Sequence, residues 1–199
     1  MTLIAFLGVP IAQADPIPII LNTSSLAGTN AVLAFDLIDG GTPGNTVTIS
    51  GFSSNGTLGS FSVTGDVTGS LPGTVTFSDS QFFNEYLQNI LLGSTLSFTF
   101  DATGNPADPL SFPDAFSLFL LDPATGLPLY ATSDPTGANA LFLYNIGGQN
   151  PLSIYSSNVT QGPNQVPEPS TAWLIGIALL VMLIVFAAAK RSSRPRLAL

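Results

Sequence analysis

TLSFTFD, residues 95–101, alternates without a break: Leu96, Phe98 and Phe100 fall on one side, Ser97, Thr99 and Asp101 on the other. Only an extended chain gives a two-residue period, so this stretch predicts a strand with one buried and one wet face. The same period recurs outward in both directions. AVLAFDLID (31–39) sets Leu33, Phe35 and Leu37 on one face, and TVTISGF (46–52) sets Val47 and Ile49 against Thr46, Thr48 and Ser50. GSFSVTG (59–65) pairs Phe61 with Val63, and TVTFS (74–78) pairs Val75 with Phe77. PIPIILNT (16–23), PLYATS (128–133) and LSIYSS (152–157) add further strand candidates. AFSLFLLD (115–122) and ALFLYNI (140–146) are apolar on both faces, which places them centrally or under cover. About ten short strands punctuated by Gly, Pro and Asp predict an all-β fold, a β-sandwich or jelly roll.

SDSQFFNEYLQNILLG (78–93) reads in two ways. As a helix it has Ser78 and Gln81 as a capping box, Phe83, Leu87, Ile90 and Leu91 on one face, and Gly93 as a stop. As a strand it enters a hairpin turning at Gly93–Ser94. The strand is preferred, because the segment continues directly into TLSFTFD.

Composition removes whole chemistries. The 199 residues contain no Cys and no His, so disulfides, thiolate metal sites, thiol nucleophiles and imidazole bases are all excluded. With 12 acids, 4 bases and a net charge of −8, and no base before position 190, the body of the chain has no basic patch to attract phosphate backbones, and nucleic acid is not an expected partner. A hydrophobic fraction of 45% is enough for a packed core.

The two ends carry the strongest signals. MTLIAFLGVPIAQAD has an apolar stretch from Leu3 to Val9, then Ala12 and Ala14 before Asp15. That is the pattern of a signal peptide over 1–14, although its basic start is missing and the true start would then lie upstream. Residues 172–189 are uncharged and apolar; as a helix they would run about 27 Å, close to the roughly 30 Å of a bilayer core. Trp173 falls at one expected boundary, and Lys190, Arg191, Arg194 and Arg196 follow at the other. Cations flanking a span stay in the cytoplasm, so a transmembrane α-helix is expected, with an exported domain over 15–160. The linker covers 161–171 and the basic cytoplasmic tail 190–199. All 12 acids precede the span and all 4 bases follow it, which that topology explains.

Val166, Pro167, Glu168 and Pro169, then the apolar run, then the basic cluster, resemble the C-terminal sorting signal of PEP-CTERM proteins. The prolines cannot join a regular ladder and keep the segment extended. The resemblance implies recognition by an exosortase, cleavage near the motif, and release toward the cell surface or a biofilm matrix. It also implies membrane and exopolysaccharide among the partners. Phe82-Phe83-Asn84-Glu85 ahead of GSTLSFT (93–99) is similar to a recurring group of such proteins that has no known activity.

Carboxylates are the remaining acid–base groups, and a carbohydrate-active enzyme would need two of them facing each other roughly 5–10 Å apart. Most stand beside Gly or Pro, where Asp commonly bonds its own turn. No catalytic pair stands out, and the protein is not expected to be an enzyme. Asp101, Asn105, Asp108 and Asp114 lie close together in FDATGNPADPLSFPDAF (100–116), and oxygen ligands of this kind suit calcium. No other cofactor is expected.

Overall fold

The computed structural model describes residues 16–42, 44–103, 112–148 and 151–163. The chain divides into two units, 1–164 and 165–199, and the described residues all belong to the first. The signal-peptide, linker-motif, transmembrane and basic-tail expectations lie outside the described residues. Among the described residues, no helix is long and apolar enough to cross a membrane.

Among the described residues, twelve strands and one short 3-10 turn (Ser24–Leu26) form the domain. The strands are β1 (Ile17–Asn22), β2 (Asn30–Ile38), β3 (Thr46–Ser54), β4 (Thr57–Thr64), β5 (Val67–Gly69) and β6 (Val75–Ser78). They continue with β7 (Phe83–Leu91), β8 (Thr95–Thr103), β9 (Ala115–Leu121), β10 (Phe142–Asn145), β11 (Leu152–Ile154) and β12 (Val159–Gln161). One six-stranded sheet runs β12-β1-β8-β3-β6-β5, and the other runs β11-β10-β9-β2-β7-β4. Every pairing is antiparallel. Strands β1 to β4 alternate between the sheets, so β1-β8-β3-β6 faces β2-β7-β4, the winding of a jelly roll.

The alternating residues close the sandwich. Leu33, Phe35 and Leu37 of one sheet and Val47, Ile49, Phe77 and Phe100 of the other are fully buried, in one cluster. Rings interlock across the interface: Phe35 meets Phe98 edge-on at 5.3 Å, and Phe100 meets Phe116 at 5.3 Å. At roughly 2 kcal/mol per buried large side chain, this row of phenylalanines is a main source of stability.

Three expectations change. Residues 83–91 are a strand, but β7 and β8 do not form a hairpin. They belong to opposite sheets, and the Gly93–Ser94 turn is an arch between the layers. PLYATS is not a strand; only a single bridge ties Pro128 to Leu121. The domain also extends into the expected linker: Gln161 of β12 pairs with Ile19, and the Gly162 amide donates to Pro18 O at 2.9 Å.

β7 hid its register for a physical reason. Its inward row is Asn84, Tyr86, Gln88 and Ile90, all buried, while Phe83, Leu87 and Leu91 point outward. Buried amides are tolerable only when bonded. Asn84 Oδ1 accepts from the Asp66 amide at 2.7 Å while its Nδ2 donates to Gln81 O at 2.8 Å. Tyr86 accepts from the Leu71 amide at 3.0 Å and donates to Gln88 Oε1 at 2.9 Å. Gln88 Nε2 donates to Gly59 O at 2.9 Å.

Candidate functional site

The crossings between sheets at one end of the sandwich bring three acids together. β2 runs out into Asp39, β6 into Asp79, and the chain enters β9 through Asp114. Their carboxylate oxygens lie within 4.8 Å of one another. Asp114 is wholly buried and Asp79 is 9% exposed. Each is anchored by local donors. The Gly40 amide and Asn45 Nδ2 donate to the two Asp114 oxygens at 2.8 and 2.9 Å. The Asn45 amide donates to Asp79 Oδ2 at 2.7 Å, and the Gly41 amide to Asp39 Oδ1 at 2.6 Å. Asn45 therefore clasps two of the acids, and its Nδ2 also reaches Thr42 O at 2.9 Å. The first 189 positions hold no Lys, Arg or His, so no cationic side chain of this domain balances the cluster. Burial pushes Asp114 above the ordinary carboxylate range; the bonds from Asn45 and Gly40 oppose that, and Asp39 and Asp79 add to it. Three hard oxygens at this separation could hold a divalent cation of the calcium type.

The sequence expectation named one member of this cluster, Asp114. Asp101 is not in the group: it lies on β8 opposite Thr48, on the side away from the core. Asn105 and Asp108 lie outside the described residues. Asp39 and Asp79 were missed because they are 40 residues apart in sequence and meet only through the winding. The Asp39-Gly40 dipeptide pointed to a turn, without saying which loops meet there; Asp79, between two serines, carried no such signal.

A second pair of acids occupies the outer face of the other sheet. Asp36 on β2 is the register partner of Glu85 on β7 and of Ser117 on β9. Burial, and then the Glu85 charge, push Asp36 from 3.8 to about 7, and burial raises Glu85 as well. Among the described residues Asp36 Oδ1 has no hydrogen-bond partner. Its neighbours on this face explain the burial: Val32, Ala34 and Ile38 share its strand face, and Leu87 and Phe119 lie across. Two shallow depressions lie elsewhere. One of about 340 Å³ is bordered by Ile20, Asn55 and Ser97, the other of about 310 Å³ by Phe52, Leu58 and Pro72, and no carboxylate lines either.

The described residues thus define an all-β, two-sheet domain with acids in its loops and on the outer faces of both sheets. Beyond it, residues 165–191 match the PEP-CTERM protein-sorting motif. The chain carries the C-terminal signal of a PEP-CTERM protein, and that signal supports an exosortase-targeted surface protein, exported and sorted toward the cell surface. The match takes in Val166 to Pro169 and the first two cations, Lys190 and Arg191. No curated protein and no solved structure matches the chain.

Proposed function

We propose that this is a non-enzymatic component of the bacterial surface or extracellular matrix, delivered through a membrane-anchored intermediate and acting by adhesion or assembly. The sandwich is the payload, 1–14 the export signal, and 172–189 a temporary anchor with its basic foot in the cytoplasm. Exosortase cleavage near Glu168 would separate payload from anchor. The observation that carries a structural role is the use of the acids. Asp39, Asp79 and Asp114 bond loop donors, Asp122 accepts from the Ala124 amide at 2.7 Å, and Asp134 accepts from the Thr136 and Ala140 amides at 2.9 and 3.0 Å. Acids committed to holding loops are not free to shuttle protons.

The test is the mass of the mature C-terminus in a host that encodes an exosortase. A chain ending near the motif is expected, and Glu168→Ala should leave the full C-terminus attached. Recovery of the intact chain from the natural surface would overturn processing. Protease added to spheroplasts should digest the sandwich and spare the tail; the reverse would invert the topology.

One observation favours a second reading, a carbohydrate-active domain with paired acids. Asp36 and Glu85 are cross-strand neighbours, and a carboxyl held near neutrality is what a general acid needs. Release of reducing sugar from matrix polysaccharide, lost in both Asp36→Asn and Glu85→Gln, would establish it. Calcium at Asp39, Asp79 and Asp114 is compatible with either role.

A further inference from the structure

Phe35, Phe77, Phe98, Phe100 and Phe116 close the core, yet Phe82 and Phe112 are 73% and 83% exposed, the most open large hydrophobics among the described residues. Both flank one turn at the acidic end. The Asp39 amide donates to Phe82 O at 3.0 Å, and the Gly40 backbone packs on Phe112 O too closely for any side chain to fit between. Ile38 and Phe83, register partners at the same end of β2 and β7, are exposed as well. Single surface hydrophobics need no explanation, but four of them around one turn mark a contact surface. The acids here are turned in from that surface: Asp114 is wholly buried, Asp79 nearly so, and Asp39 Oδ1 accepts from the Gly41 amide.

The chain leaves the domain at this same end. β12 runs beside β1 toward the first residue of β1, and the Gly162 amide donates to Pro18 O. Ile17 lies opposite Phe100, three residues before β8 ends beside Thr46. Residues 164–171 then separate the described chain from the expected span, at most about 30 Å of extended chain. A strand as long as β2 also rises about 30 Å, so the tether is no longer than the sandwich is tall.

We propose that, while the chain is still anchored, this end of the sandwich rests on the outer surface of the bilayer with the rings of Phe82 and Phe112 inserted among the lipids. The proposal rests on the anchored intermediate described under the function above. The tether selects the occupant: with its exit at the aromatic end and a reach of one domain height, that end is the one held against lipid. Apolar rings at an interface bind in proportion to the area they bury, and two of them bind weakly from solution. A short tether raises the effective concentration to the order of millimolar, which makes the weak contact persistent. Docking therefore keeps the chain exit at the membrane until the anchor is cut, and cutting releases the domain, because the rings alone do not hold it.

The chain has no cysteine and a single tryptophan, so one substitution supplies a unique thiol and Trp173 reports the span by itself. The full chain carrying Phe82→Cys or Phe112→Cys is labelled with an environment-sensitive fluorophore and reconstituted in phosphatidylcholine vesicles, with and without nitroxide-bearing lipid as quencher. Leu127→Cys is the control, an apolar site 64% exposed in the loop after β9, at the end where Leu121 pairs with Val32. Expected is quenching at 82 and at 112 at least fivefold that at 127. Phe112→Ser should cut the quenching at 82 at least threefold with the melting temperature unchanged. Quenching of Trp173 in the unlabelled chain, with 82 and 112 no more quenched than 127, would overturn the docking and leave the anchor standing. An unquenched Trp173 would overturn the anchor and the docking with it. Quenching at 82 that ignores Phe112→Ser would likewise sink the paired insertion.

Discussion

The two ends of the sandwich do the same mechanical job with opposite chemistry. At one end the arches β3–β4 and β7–β8 lock through neutral groups: Asn55 Nδ2 donates to Ser94 Oγ at 2.7 Å, the Thr95 amide to Asn55 Oδ1 at 3.1 Å, and Thr23 Oγ1 to Gly93 O at 2.8 Å. At the other end the crossings lock through Asp39, Asp79 and Asp114 around Asn45. Amide and hydroxyl networks hold at any pH and need no counter-ion. The carboxylate network makes stronger bonds to backbone amides, but concentrates charge that nothing in the domain neutralises. On that chemistry the neutral end is expected to be a fixed clasp, and the acidic end to respond to protons and cations.

The largest effect expected is at the neutral end. Gly93 lies so close to the Asn55 backbone that an added Cβ would stand 2.6 Å from the Asn55 carbonyl carbon. Gly93→Ala should cost about 3 kcal/mol in denaturant melts, equally at pH 5 and pH 8. A strong pH dependence of that cost would break the contrast. Next, Asp114→Ala removes the acceptor for the Gly40 amide and for the buried Asn45 Nδ2, and should cost about 2 kcal/mol. A stabilising Asp114→Ala would mean that repulsion outweighs the bonds.

The third effect is pH dependence. Asp36 is raised from 3.8 to about 7, and Asp114 and Glu85 are raised as well, so the folded state prefers their protonated forms. For a raised acid the contribution is complete below the unfolded value and fades as pH climbs through the folded one. The domain should therefore melt higher at pH 5 than at pH 8. The Asp36 displacement corresponds to about 4 kcal/mol undiscounted; water reaching its partly exposed face reduces this to about 1–2 kcal/mol. Asp36→Asn should remove most of that slope, and an unchanged slope would place its origin at the acidic end. The smallest effect is calcium: at five times its Kd it should add about 1 kcal/mol. Asp114→Asn should abolish the gain, and Asn55→Ala should not.

β8 was fully legible in sequence, because Leu96, Phe98 and Phe100 alternate with Ser97, Thr99 and Asp101 and need no context to show which face is buried. β7 was only half legible. Its inward side chains are Asn84, Tyr86 and Gln88, acceptable inside only because Asp66, Leu71, Gln81 and Gly59 supply partners from elsewhere in the chain. Phe82-Phe83-Asn84-Glu85 accordingly contains a buried structural amide at Asn84 and a surface acid at Glu85. At the acidic end Asp39 and Asp114 stood beside Gly and Pro as turn acids; Asp79, between two serines, gave no signal, and neither did the cluster.

The sequence by itself determined that the chain forms short amphipathic strands, that its first 189 positions lack any cation, and that a sorting signal follows the domain. Those are local properties: a side-chain period, a composition and a linear motif. Which sheet each strand joins was decided only in three dimensions. Gly93–Ser94 reverses the chain in either case, but a turn does not fix the plane of the reversal. That plane followed from where Leu92, Leu96 and Phe98 could be buried together, and it gathered three distant aspartates at one end and left β4 at the edge.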